Sequence, residues 1–381
     1  MLSIITSADS INPLLFVNSS YPAPIGIVSY GLLNLSSDSG PYSISTNEVF
    51  GYARIDAIYA YNETAAQELN VSAWGVTLQQ NVMLNISSNG HTHVYWLQNV
   101  ADLNTSNMTY FFVNNVWNST TINASISNST LVGGGGVSGQ GNQSFYSYAQ
   151  NSTPYELPFV LEPIIKIAYN GSYPYVQFGY RQNGYNIFYD NVTILIPGKA
   201  SIVVTGYNQT GNIPNSLNNS QFFDAELVFG GEANGATIPF IRMNSTLWSG
   251  YLNNNGSITA FPSFATFGSD TQENATNLKV TKEGAYALVQ TGQPNYNETL
   301  TLSGVPPGLN LSSSNKVTPT TTRPMQTITQ SAILQNPPSG TVGAPSAGPY
   351  LVLGTAILCI MIVILVLAYL RAANKGKQVR S

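Results

Sequence analysis

From Tyr21 the chain runs in short stretches of apolar and alternating residues broken by clusters of Asn, Gly and Ser. Val76–Asn85 (VTLQQNVMLN), Val94–Val100 (VYWLQNV), Tyr110–Trp117 (YFFVNNVW), Asn191–Pro197 (NVTILIP) and Ser201–Thr205 (SIVVT) are examples. β-branched and aromatic residues dominate these runs and turn formers bound them, which predicts strands. Amphipathic helical spacing is scarce, and Thr64–Leu69 (TAAQEL) is its best short instance. The pattern predicts an all-β fold, a sandwich or stacked sandwiches, over residues 21–311, in one or two β units. Residues 1–20 read as a lead-in without the basic and continuous apolar regions of a signal peptide. Leu131–Gly141 (LVGGGGVSGQG), Asn215–Asn219 and Asn253–Gly256 read as loops, the first of them flexible.

The pattern changes twice near the C-terminus. Residues 312–348 are rich in Ser, Thr, Pro and Gly and lack periodicity, which predicts a disordered stalk. Residues 349–370 then form an uncharged apolar run, long enough as a helix to cross a bilayer. Tyr350 and Tyr369 stand at its ends, and Arg371, Lys375, Lys377 and Arg380 follow in a basic tail, 371–381. Basic residues are retained on the cytoplasmic side, so the expected topology is a single-pass cell-membrane protein with its N-terminal domain outside. About twenty Asn-x-Ser/Thr sequons, Asn62, Asn85 and Asn191 among them, fit glycosylation outside the cell, although an Asn-rich chain also generates sequons by chance.

Composition narrows the function. Only 8% of residues are charged, with 13 Lys and Arg against 17 Asp and Glu. No basic patch lies outside the tail, which argues against nucleic acid as a partner. A surface wetted by neutral Asn, Ser, Thr, Gln and Tyr side chains suits an acidic medium, because such groups do not titrate, although heavy glycosylation also accounts for low charge. The one cysteine, Cys359, lies in the apolar run, so the domain has no disulfide.

Several stretches, in order, resemble the thermopsin family of archaeal acid peptidases. They are Asn12–Gly31 (NPLLFVNSSYPAPIGIVSYG), Ser45–Gly51 (STNEVFG), Leu78–Val100 ending in VYWLQNV, Asn115–Asn118 (NVWN), Tyr189–Ile194 (YDNVTI) and Asp224–Gly235 (DAELVFGGEANG). The resemblance implies a surface endopeptidase, active in acid, that uses carboxyl groups and water without metal or other cofactor. Its substrates would be extracellular polypeptides. Tyr21 and Ser29 depart from the family pattern, which has acidic residues there. If position 29 is catalytic in relatives, the chain is instead an inactive surface glycoprotein serving adhesion or the envelope.

Acid proteolysis needs two carboxyls that share a proton, one activating water while the other polarises the carbonyl. The candidates are Asp190, at a strand start, Glu226, in the apolar run AELVFGG, and Asp102, just after YWLQNVA. Asp224 and Glu232 flank the Glu226 run and rank below them. The competing readings are a turn or cap for Asp190 and a solvent-facing strand position for Glu226. Asp38-Ser39-Gly40 reads as a tight turn. His91 and His93 follow an Asn89-Gly90 turn signal and lack a third ligand, so no metal is expected. Trp74, Trp96, Trp117 and Trp248 fit either core and rim or a ligand platform.

Overall fold

The computed structural model describes residues 22–32, 41–121, 124–140, 143–206, 223–295, 299–307 and 309. The lead-in, the Asp38-Ser39-Gly40 triplet, Asn215–Asn219, the stalk, the apolar run at 349–370 and the basic tail lie outside them. Among the described residues no helix is long and apolar enough to cross a membrane.

The described chain is nearly all strand. It has one helix, Glu63–Leu69, capped at its start by Asn62, whose side chain accepts from the Ala65 amide at 3.1 Å. The strands form two sheets that pack as a sandwich. In the first, Phe264–Phe267, Ile25–Ser29, Ala225–Gly231, Gly75–Ser88, His91–Asn104, Thr109–Asn118 and Gln143–Ala149 lie side by side. The second is built around the long antiparallel pair Glu48–Ala60 and Thr237–Leu252, continued by Pro163–Asn170, Tyr173–Gln182 and Tyr185–Ile194. Gly75–Ser88 and His91–Asn104 are joined at Asn89-Gly90, both at positive φ (50° and 78°), the conformation of a two-residue hairpin turn.

Period-two alternation assigns the two faces of the first sheet. Val76, Leu78, Val82 and Leu84 are buried in the main core on one face, while Thr77, Gln79 and Asn81 lie on the other. A single hydrophobic core includes residues of both sheets, among them Leu97 and Leu227 of the first and Ile165 and Leu247 of the second. Trp248 is fully buried in it, with its indole N–H donating to the Gly304 carbonyl at 3.1 Å.

A polar seam crosses this interior. The Asn99 side-chain amide donates to the carbonyls of Ile164 (3.0 Å) and Gly179 (2.8 Å), both in the second sheet. The register of Tyr173–Gln182 against Tyr185–Ile194 shifts between Phe178 and Gly179, leaving Tyr189 as the extra residue of a bulge. Bulges break a ladder locally and re-aim side chains. Here the Tyr189 hydroxyl donates to Asn99 Oδ1 at 2.9 Å.

Candidate active site

The sequence DAE at 224–226 opens a strand that is buried on both faces. Residues two apart point the same way, so Asp224 and Glu226 share a face. Glu226 pairs in register with Asn81, Asn81 with Gln98, Gln98 with Asn115, and Asn115 with Ser147. This polar row lies on the face of the sheet turned away from the main core. A third carboxyl, Asp270, comes from the turn that follows Phe264–Phe267. One oxygen from each of Asp224, Glu226 and Asp270 lies within 4.8 Å of the other two.

The three carboxyls are held differently. Glu226 Oε2 accepts from the Asn81 side-chain amide at 2.8 Å, and Oε1 accepts from the backbone amides of Ser269 (2.8 Å) and Asp270 (3.4 Å). Both oxygens of Asp224 are buried, and no amide or hydroxyl of another described residue donates to either. Its polar neighbour is the Asp270 carboxyl, and two carboxyls bond only through a shared proton. Burial, reinforced by the charges of Asp270 and Glu226, pushes Asp224 well above the usual carboxylate range. Burial and then Glu226 raise Asp270 to about 8. Burial also raises Glu226, against the pull of its three N–H donors. Glu226 is therefore the member best equipped to carry negative charge, while Asp224 and Asp270 hold a proton between them. These three are also the group of acids among the described residues close enough to hold a hard cation. Three N–H donors occupy three of the roughly four acceptor positions of the Glu226 carboxylate, which leaves one for a proton or a cation.

Tyr30 closes the back of the site. It is buried, its hydroxyl donates to the Phe267 carbonyl at 3.1 Å, and burial plus the adjacent acids keep its phenol protonated. Gly268 supplies the room. A Cβ there would stand 2.7 Å from Glu226 Oε1 and 3.1 Å from its carboxyl carbon. Gly268→Ala is expected to displace the Glu226 carboxylate and lower the melting temperature by several degrees, because the added methyl group overlaps a buried carboxyl oxygen. A thermal melt of the variant checks this, and an unchanged melting temperature would contradict it.

Asp270 faces a cleft of about 670 Å³. The floor is the outer face of the first sheet, with Gln79, Gln98, Asn115, Trp96, Trp117 and Phe145 among its residues, and segments 232–234 and 270–273 form a wall. Trp117 stacks on Phe145 with ring centroids 4.1 Å apart. Two of the four tryptophans thus line the cleft. Trp248 is core, and Trp74 packs beside Tyr61 at the surface.

The structure separates the residues nominated from the sequence. Glu226 joins the cluster. Asp102 lines the same cleft, opposite Glu232, and burial raises it to about 8 with the Glu232 charge adding to the shift. Asp190 goes to the interior seam. It accepts from the Tyr146 hydroxyl (2.6 Å), the Asn114 side-chain amide (2.9 Å) and the Gly134 amide (3.0 Å). Gly135 N–H in turn donates to the Tyr146 oxygen at 2.7 Å. Asp190 therefore pins the glycine run rather than joining Glu226. This corrects the expectation of a flexible loop at Leu131–Gly141. Leu131–Val132 and Gly136–Gln140 are short strands, and the bend between them is tied to buried acceptors. The sequence reading ranked Asp224 low and missed Asp270. The D-x-E spacing on a strand was the signal for the first; nothing local marks the second.

Ser29 pairs with Ala225, so it lies on the opposite face from Glu226, whose partner is Val28. It is buried, and its hydroxyl is 2.5 Å from that of Tyr42. An acidic side chain at 29 would point away from the three carboxyls.

Sequence comparisons show the family. The family model described as Thermopsin matches residues 9–278. The chain is 38% identical over 301 residues to a protein named Thermopsin from Sulfolobus acidocaldarius, covering 76% of this chain and 86% of that protein. The chain belongs to the thermopsin family.

Proposed function

We propose that this protein is an acid endopeptidase whose hydrolytic group is Asp224, Glu226 and Asp270. The observation that carries the reading is the meeting of two buried carboxyls and a half-buried one at the wall of a cleft, one with three N–H donors and two placed to share a proton. An ionised carboxylate in the group takes a proton from water as the water oxygen attacks the peptide carbonyl. A protonated neighbour donates to the carbonyl oxygen, and collapse of the tetrahedral intermediate passes a proton to the leaving nitrogen. Asp270 is the member that lines the cleft, so it is the one that meets the substrate. Extended polypeptide suits the open β floor, whose amide side chains offer uncharged hydrogen bonds in acid.

The reading of an inactive surface glycoprotein rested on Ser29. The orientation of Ser29 away from the carboxyl group weakens it. We further propose that residues 349–370 anchor the domain outside the cell.

The test is incubation of the full chain, in detergent, with denatured protein across about pH 2–5. Cleavage that resists chelators and serine reagents is expected. No cleavage at any acidic pH by a folded domain would overturn the enzymatic reading. Retention in membranes after alkaline carbonate extraction tests the anchor separately.

A further inference from the structure

Asp102 is a carboxyl that the hydrolytic group does not use. It lies on the cleft floor on the same strand face as Gln98, four residues further on, or about 13 Å along an extended strand. Gln98 belongs to the cross-strand row that begins at Glu226. Asp102 therefore stands about four residues of extended peptide away from the row that carries the chemistry. Its flanking partners are Thr77 on one side and Phe111 on the other. The charged groups facing the same cleft are Glu232 from segment 232–234 and Asp270 and Glu273 from segment 270–273. No Lys, Arg or His of the described residues lines it. Glu232 and Glu273 are occupied elsewhere. Glu232 accepts from the Ser72 amide, and Glu273 accepts from the Gly235 amide at 3.1 Å and from the Thr271 hydroxyl.

A carboxyl among other acids, 9% exposed and without a cation, keeps its proton well above the acid range. In that form it is a hydrogen-bond donor directed at the cleft. Ionised, it repels any carbonyl oxygen placed there. We propose that Asp102, protonated, donates its carboxyl O–H to a backbone carbonyl of a peptide lying along the cleft, several residues from the bond that is cut. The proposal rests on the reading of this cleft as the substrate channel.

The test measures binding rather than cleavage. The full chain is titrated in detergent with an uncharged octapeptide carrying a hydroxyethylene group in place of its central amide. Binding is read from the change in tryptophan fluorescence on addition of peptide, Trp96 and Trp117 being the tryptophans that line the cleft, between about pH 4 and pH 9. Asp102→Asn keeps a donor at every pH, and Asp102→Leu keeps none. The Asn variant is expected to match wild type at about pH 4 and to bind about tenfold tighter than wild type at about pH 9. Asp270 titrates in this window in both proteins, so the ratio between them isolates Asp102. The Leu variant is expected to bind about tenfold more weakly than wild type at about pH 4, with an unchanged thermal melt as the check on folding. Superimposable profiles for wild type and Asp102→Asn, or wild-type binding by Asp102→Leu in acid, would overturn the proposal. Binding with the expected profile by a chain that cleaves nothing would uphold Asp102 and remove the endopeptidase reading. Cleavage with superimposable profiles would do the reverse.

Discussion

Glu226→Gln and Asp270→Asn are each expected to lower kcat by about 10³-fold or more, with KM little changed. Each substitution keeps side-chain volume and removes one ionisable oxygen from a group that works by passing a proton. The double variant is expected to lose little more than either single variant, because residues acting as a unit are far from additive. Asp190→Asn is the control. It turns an acceptor of three donors into an amide that crowds one of them, so it is expected to lower the melting temperature while the folded fraction keeps its kcat within about threefold. Rate constants normalised to folded protein decide the matter. Full activity in Glu226→Gln or Asp270→Asn would remove these carboxyls from the chemistry.

Thermal stability is expected to be greatest in acid and to fall as the pH rises. Asp102 and Asp270 titrate near 8 in the folded chain, and Asp224 is also raised, whereas all three return to the ordinary Asp range near 4 on unfolding. A raised folded-state pKa means that the native state binds the extra protons. The stability they contribute is therefore complete below about pH 4 and is lost as pH rises toward about 8. Asp102 and the Asp224–Asp270 pair together amount to several kcal/mol, or a fall on the order of 10 °C in Tm for a domain of this size. Acid removes little in return. The described residues hold two ion pairs, the exposed Arg54–Asp56 and Lys166–Glu48, and burial already raises Glu48 despite its lysine. Melts from about pH 3 to pH 8 check the sign, and a Tm that climbs across that range would contradict it.

Much of this molecule was legible in its sequence because strands declare themselves through period-two runs and turn residues. The Asn89-Gly90 hairpin and the short helix near Thr64 lie where local pattern placed them. Glu226 was legible because a carboxyl inside AELVFGG has to be buried. Asp270 was not, because it follows a strand in an ordinary Gly-Ser-Asp turn. It is brought beside Glu226 with the help of Gly268 N–H donating to the Pro24 carbonyl at 2.8 Å, a contact between chain segments far apart in sequence. Asp190 stood out in the sequence for a different reason. The motif around it shapes a bulge and an internal anchor, and such a segment stands out in a sequence as readily as a catalytic one.

Gln98 and Asn99, adjacent on one strand, face opposite ways, and the second is fastened to two carbonyls of the other sheet. The platform on which a polypeptide would rest is therefore bolted from beneath. The opposing bank, segments 232–234 and 270–273, is fastened as well, by the Ser72 amide to Glu232, the Asn234 side chain to the Leu69 carbonyl and the Gly235 amide to Glu273. Floor and bank are thus both anchored, and Asp270 is held beside Glu226 by the amides of Ser269 and Asp270.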